Sequence, residues 1–501
     1  MTESPATAVI AGGGIVGLVL AMALKQQLGI TAEIYEKAHA FAEDVGAGLG
    51  LYPNGLRVLR DISPNLLAAV REAGYPYQTR RWEKHDGTEI AEAEEALLSN
   101  GEKDLNSMGI RRWKLQKVLY DYAQSMGITI RFSKGTVNAE QVAKDLVRVH
   151  FSDGTSRLTR ILFGCDGGKS VVREVVAPNE SQLKYTGVTC LMGLSKCTKK
   201  NTGISFPSSD KEDFHAVFFP TGPNEQCFQF HFPIDESNAD KLNWGNLSQT
   251  VGQQECLKLA TELRKEGWHH RFLEPLENVT HAVRVGFALL EPKLKTWVQG
   301  RIVLCGDAAH PPVPYIGQGA QQGMEDVGVC VTLLKHFCDK DSDSQELDLT
   351  NFDKAMKLYE TIRVKRSSEI LKFSKDLGGL QAARAGTSTE IDDMELQMKG
   401  EILMYGTLPI MFPGADHDYK QDTDVAIEDE QGREPISPEE AMAAYEALFL
   451  GGDGISSKKS YEKELTEEEA LAAFEQIHLG IVRETTASKS PKGSPRSSLA
   501  V

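Results

Sequence analysis

The chain is 501 residues long, 41% hydrophobic and 25% charged, a composition that fits a globular protein with two or three domains and a large core. With a net charge of −16 it carries no general nucleic-acid-binding surface, and no apolar run reaches the roughly 20 residues of a bilayer span. No secretory signal is visible, and eight cysteines without a close Cys-x-x-Cys pair imply reduced, mostly buried thiols in a cytoplasmic setting and no metal site.

In chain order, the apolar run Thr7 to Ala11 reads as a strand, followed by Gly12-Gly13-Gly14-Ile15-Val16-Gly17 and an apolar helix to about Leu28. A second strand, Ala32 to Tyr35, ends at Glu36, 19 residues after Gly17. In that strand–turn–helix–strand setting, Gly12 permits the tight turn and Gly14 lets backbone approach a pyrophosphate. Gly17 packs helix on strand, and Glu36 is placed for ribose hydroxyls. Three glycines between Gly46 and Gly50 imply backbone close to something flat or bulky, and a short helix starts near Gly55. Asp86-Gly87 marks a hairpin within 77–92. Arg111-Arg112 opens a helix to about Met126 and offers a cation for a phosphate. Strands over 128–163 lead into Gly164-Cys165-Asp166-Gly167-Gly168 and a short helix with Arg173.

From Tyr185 to about Val285 the runs become longer and β-rich, interrupted by one helix near 248–267. Strand alternation groups His215 with Val217 and Phe219, and His215 is the candidate catalytic residue, although a lone strand histidine is more often structural. The strand phenylalanines Phe214, Phe218, Phe219, Phe228 and Phe230 hint at an apolar aromatic or indole-like substrate.

The stretch 301–323 is the centre of the chain. The apolar strand Ile302 to Cys305 runs into Gly306-Asp307, then a turn with Pro311, Pro312 and Pro314, then Gly317-Gln318-Gly319 opening a long helix. A carboxylate beside an open helix N-terminus is a place to hold a polar cofactor. A second long helix, Phe352 to Lys375, carries Arg363, Lys365 and Arg366 as an expected solvated face. The acidity of the chain is concentrated after it, with 23 Asp and Glu against 6 Lys and Arg between Gly386 and Gly480. That segment holds two similar capped helical stretches, from Ser437 and Thr466, offset by 29 residues, expected either as two independent helices or as a pair docking on the body or on a second subunit. The Ser-, Lys- and Pro-rich tail is expected to be disordered.

Taken together, these motifs resemble the single-component FAD-dependent aromatic hydroxylases, the group A flavoprotein monooxygenases. The resemblance covers about 1–175 and 281–380. It rests on Gly12-x-Gly14-x-x-Gly17, Glu36, the Gly46-to-Arg57 stretch and Arg112-x-x-Leu115. It continues through Cys165-Asp166-Gly167 with Arg173, Gly306-Asp307-Ala-Ala-His310-Pro, Gly317-Gln-Gly319 and Glu325-Asp326. It implies an α/β fold: a Rossmann-like FAD-binding domain with an inserted β-sheet substrate domain and a helical C-terminal extension. The expected divisions are 1–181 and 286–385 for FAD binding, 182–285 for the substrate domain, 386–480 for the acidic extension and 481–501 for the tail.

The resemblance further implies that Gly12, Gly14, Gly17 and Glu36 hold the ADP half of FAD and that Arg112 and Asp307 take its ribityl–phosphate region. Asp166 is linked to both FAD and the reduced nicotinamide. Lys37, Gly48, Pro314, Gly317, Gly319 and Ala320 complete the implied cofactor-binding set. The implied activity is hydroxylation of an aromatic or indole-like small molecule by a flavin hydroperoxide, with NAD(P)H and O2 as co-substrates, in a monomer or homodimer serving secondary metabolism. His215 is similar to a histidine that precedes a Tyr-Pro pair in salicylate-hydroxylase-like members, but Phe219-Pro220 stands here. A flavin-dependent epoxidase or reductase, or a non-catalytic FAD-fold binding module, fits the same cofactor motifs. A halogenase fits the FAD motifs too, but would carry a Trp-x-Trp-x-Ile-Pro motif that is not present here.

Overall fold

The computed structural model describes residues 4–43, 46–95, 102–197, 201–208, 214–234, 245–311, 317–338, 347–383 and 417–430. The chain divides into two units, Met1–Asp429 and Glu430–Val501. The capped stretches at Ser437 and Thr466 and the tail lie outside the described residues.

The described helices are α1 (Ile15–Leu28), α2 (Pro53–Ile62), α3 (Pro64–Ala73), α4 (Arg112–Ser125), α5 (Val171–Val176), α6 (Gln249–Lys265), α7 (His270–Glu277), α8 (Gly319–Phe337), α9 (Phe352–Ala383) and α10 (Tyr419–Glu430). None of them is long and apolar enough to cross a membrane. The strand Ala6–Ala11 is buried nearly throughout, as a strand covered on both faces must be, and pairs in parallel with Glu33–Tyr35 on one side and Ser156–Gly164 on the other. Ser156–Gly164 pairs in parallel with Ile302–Leu304, so residues from both ends of the sequence share one eight-stranded sheet.

A second eight-stranded sheet is largely antiparallel. Its central strands are Gln182–Lys196, Glu225–Pro233 and Val279–Glu291, and the hairpin Thr79–Lys84 with Glu89–Glu94 joins its edge. One face packs on α6 and α7, where Phe218, Phe228 and Phe230 meet Trp268 and Phe272. The other face meets Ala47 and Tyr77 through Val217, Phe219 and Cys227. Four of the five phenylalanines that hinted at an aromatic substrate therefore sit in or against the helix-backed core, and only Phe219 faces the other way.

The acidic extension reaches the body through α10 and the residues before it. The Tyr419 ring fills the space above Gly328 of α8, where an added Cβ would lie 2.7 Å from it, and its hydroxyl donates to Asp61 Oδ2 at 3.0 Å. Arg57 on α2 donates to the His417 carbonyl at 2.8 Å. Because Tyr419 is buried, Tyr419→Ala is expected to lower stability by about 3 kcal/mol. A chain ended after Ala385 should melt lower for the same reason, and thermal melting that matches the full chain in both cases would remove α10 from the stable body.

Candidate functional site

Parallel register sets the site. Ala11 pairs with Tyr35 and with Gly164, and Gly164 pairs with Leu304. The residues just past these strand ends, Gly12, Glu36, Cys165-Asp166 and Gly306-Asp307, therefore line one edge of the sheet, where open α/β sheets take their ligands.

At one end of this edge the backbone demands glycine. Gly12 has φ +101°, and a Cβ there would sit 2.4 Å from the Cys165 carbonyl oxygen. A Cβ on Gly17 would lie 2.1 Å from the Gly12 carbonyl oxygen, so α1 can abut the turn only without one. Gly14, the residue preceding α1, faces open space with no atom within 4 Å, and no side chain caps this helix. Its N-terminal amides are thus available to an anion. The Glu36 carboxylate is aimed by two backbone donors, Gly13 N–H at 2.8 Å and Ala38 N–H at 2.9 Å, which leaves acceptor capacity for ribose hydroxyls. Lys37 beside it is exposed.

At the other end, Gly306 has φ +65°, and its N–H donates to Asp326 Oδ2 at 2.7 Å, which turns the chain so that Asp307 follows. The Asp307 carboxylate is reachable by solvent yet enclosed by protein on its remaining sides. That enclosure raises its pKa above the usual carboxylate value, against the pull of His310 and Arg112. Desolvation lowers the pKa of the Arg112 guanidinium, and Asp307 opposes the shift. The two attract each other without a contact ion pair. Among the described residues neither side chain has a hydrogen-bond partner, which leaves both open to a ligand with hydroxyls and a phosphate.

The α8 N-terminus borders the same cleft. Gln318 precedes it without a side-chain cap, its first turn has no acid, and Gly319 and Ala320 are half-buried. Gly317 has φ +63°, and Gln321 Nε2 ties its carbonyl at 2.7 Å to that of Gly50 at 3.0 Å, joining this turn to the glycine-rich strand Gly48–Leu51. Pro314 lies outside the described residues. A cavity of about 520 Å³ opens beside Ala309, His310 and Pro311, with Trp297, Leu289 and Leu294 among its walls.

Several residues have structural duties that spacing did not show. The Asp166 carboxylate accepts from Ser170 Oγ at 2.5 Å and from the Val171 and Val172 amides, capping α5. Gly48 is explained by packing, since a Cβ would lie 2.8 Å from Cys227 Cβ and 2.9 Å from Thr221 Cγ2. His215 opens the strand His215–Gly222, paired in register with His231, and its side chain is outside the described set.

Three groups have places or duties that the sequence reading did not give. Arg173 donates to the Ala308 carbonyl at 3.0 Å and to the Gly168 carbonyl at 2.7 Å, stapling the two anchor loops together. His231 is buried on the sheet face opposite the helices. Arg363, expected on a solvated face with Lys365 and Arg366, is instead fully buried. It donates to Glu325 Oε2 at 2.6 Å and Asp326 Oδ1 at 2.7 Å, and Arg366 binds Glu325 at 3.2 Å. Only Lys365 of the three is exposed. The reason is long-range, because α9 crosses α8 where two buried carboxylates require cations. Asp326 also binds His310 Nε2 at 2.6 Å and thereby holds the turn after Asp307.

These features place a glycine turn and Glu36 at one end of a single sheet edge, and Asp307 and Arg112 at the other. The chain belongs to the family described as FAD binding domain, whose model matches residues 5–353. It is 28% identical over 392 residues to 3-hydroxybenzoate 6-hydroxylase of Klebsiella oxytoca, covering 77% of this chain and 91% of that one. It is also 28% identical over 385 residues to the dual trans-enoyl reductase/FAD-dependent monooxygenase tazHJ of Aspergillus terreus, covering 74% of this chain and 54% of that protein, so it spans about half the length of that relative. Among solved structures, Klebsiella pneumoniae HpxO complexed with FAD and uric acid superposes with a TM-score of 0.64 at 21% identity, over 84% of this chain and 97% of that one.

Proposed function

We propose that the protein is an FAD-dependent monooxygenase that uses NAD(P)H and O2 to hydroxylate an aromatic small molecule. The observation that carries this reading is the uncapped N-terminus of α8 beside Asp307, set against a sheet face lined with apolar side chains. FAD, when bound, would supply the redox chemistry that links the nicotinamide to dioxygen. The chain's own residues do the remaining work. The Gly12–Gly17 turn and Glu36 hold the adenosine half, and Asp307 with Arg112 hold the ribityl and phosphate region. The positive end of α8 stabilises negative charge on the reduced ring. The apolar face of the second sheet excludes water from the reacting centre. The parallel sheet offers one βαβ nucleotide unit among the described residues, which suits a nicotinamide that visits as a co-substrate. The 3-hydroxybenzoate 6-hydroxylase relative supports an electron-rich aromatic ring as the group attacked.

The test is NAD(P)H oxidation by the FAD-loaded protein across phenols, indoles and aromatic acids, with oxygen uptake and hydrogen peroxide measured together. Oxygen consumed in step with hydroxylated product is the expected result. If no aromatic compound accelerates flavin reduction or becomes oxygenated, the reading fails, and nicotinamide oxidation without oxygen incorporation would indicate a reductase.

A further inference from the structure

The cavity of about 520 Å³ beside the Ala309–Pro311 turn divides its chemistry between depth and rim. Its buried wall is apolar. Leu290, Leu294 and Trp297 are at most 7% exposed, Pro311 is buried with them, and the half-buried Leu289 and Leu371 extend the same surface. The two heteroaromatic rings of this wall are engaged within the protein. Trp297 donates its indole N–H to the Leu294 carbonyl at 3.3 Å. His310 bonds Asp326 through Nε2 at 2.6 Å and lays its ring on Trp297, with centroids 4.8 Å apart.

Charge in the lining belongs to exposed residues. Lys184 and Glu291 face each other at 3.7 Å and cancel. Lys293 meets only a neutral group, the Ser368 carbonyl of α9, at 3.2 Å. An ammonium carries three donors, so Lys293 retains donors for a ligand. The rim therefore presents one positive charge that no acid among the described residues answers, next to an apolar depth. Neither Arg112 nor Asp307 lines this cavity, and neither does Val217 or Phe219 of the second sheet. It is distinct from the cofactor edge and from the sheet face set against it.

We infer that this cavity is a binding site for a second small molecule, an apolar ring carrying a single carboxylate, with the ring in the apolar depth and the carboxylate on Lys293. Burial of the ring drives binding, and the volume lies within the usual range for small-molecule pockets. The rigid rings of Trp297 and Pro311 suit a flat ring better than a flexible chain. A carboxylate held at the exposed rim keeps part of its hydration, which avoids the cost of burying an anion, and gains charge-assisted hydrogen bonds from the ammonium. A nicotinamide dinucleotide fits less well, because its several phosphate charges exceed the one unmatched cation. The occupant packs against the turn that follows Asp307, from outside the cofactor edge.

The experiment uses the full-length, FAD-loaded protein and counts bound 1-naphthoate by equilibrium dialysis, with neutral 1-naphthylmethanol and the flexible octanoate as comparison probes. Naphthoate is expected to bind at least about fivefold more tightly than either. Lys293→Met should weaken naphthoate about tenfold and leave 1-naphthylmethanol unchanged. Ser368→Phe, which fills the cavity from α9, should remove one equivalent of bound naphthoate. FAD content should stay constant in both variants. Lys293 is exposed, so its replacement carries the test alone if Ser368→Phe does not fold. A parent protein that retains no naphthoate, or variants that hold it as tightly as the parent, overturn the site. Comparison probes that bind as tightly as naphthoate overturn the stated class, and displacement of naphthoate by NADP+ overturns it in favour of the nicotinamide. None of these outcomes depends on oxygen uptake, so the monooxygenase reading stands or falls separately.

Discussion

An Asp307→Ala variant is expected to fold and to lose most of its FAD. The carboxylate has no hydrogen-bond partner among the described residues, so its removal breaks nothing in the apoprotein. A hydrogen bond to a charged acceptor is worth about 1.5–3 kcal/mol, so one lost ribityl contact weakens FAD binding by about 10- to 150-fold. The sign of the stability effect is a second check. Enclosure raises the pKa of Asp307, so its ionised form is disfavoured by the folded apoprotein. Whatever stability Asp307 contributes is present below its ordinary value of about 4 and is lost as pH rises through the raised folded value. Because Asp307 is exposed, solvent damps this effect, and at neutral pH the alanine apoprotein should melt close to the parent. A variant that stays fully yellow at parental affinity would overturn the assignment of Asp307 to the cofactor.

Arg363→Met should do the reverse, damaging the fold before the cofactor. Arg363 bridges Glu325 and Asp326 in a region without solvent, and Asn54 Nδ2 and Gln322 Nε2 complete the Glu325 shell at 2.6 and 3.1 Å. Removing one partner from a buried ionic group costs about 3–5 kcal/mol. Burial alone would raise both carboxyl pKa values. For Glu325 the charges of Arg366 and Arg363 more than offset it, and for Asp326 those of His310 and Arg363 do, so both lie below the usual range. The stability they contribute is present above about pH 4, the unfolded value, and is lost as pH falls through the lower folded values. Arg363→Met is therefore expected to melt well below the parent and to unfold in acid at a higher pH. Unchanged melting and an unchanged acid midpoint would show that the network is dispensable.

The contrast between these two residues shows what the sequence could reveal. The position of Asp307 was legible because it is locally encoded: a strand end, a glycine, a carboxylate and a helix start lie within a few residues. Gly12, Gly14, Gly17 and Glu36 were legible for the same reason, and the second sheet showed itself by strand-length runs. Arg363 was misread because its partners lie 37 and 38 residues earlier on another helix, and no helical periodicity carries that information. The strand phenylalanines misled because alternation gives two faces without saying which one meets the cofactor. That choice is made by α6 and α7 covering Phe228 and Phe230, which leaves Gln229 and His231 on the other side. Asp166 lies where spacing predicts, and its carboxylate also caps α5, a duty that the motif alone does not show.

Arg173 binds only main-chain oxygens, so neither Ala308 nor Gly168 has to contribute a particular side chain to be held. The two loops it joins are separated in sequence by the inserted strands 182–291. Beneath that insertion, the spacing between the loops is held by the pairing of the strands that lead into them and by this guanidinium. This edge of the parallel sheet is thus mechanically insulated from the inserted strands, and the second sheet is free to diversify without moving the two loops.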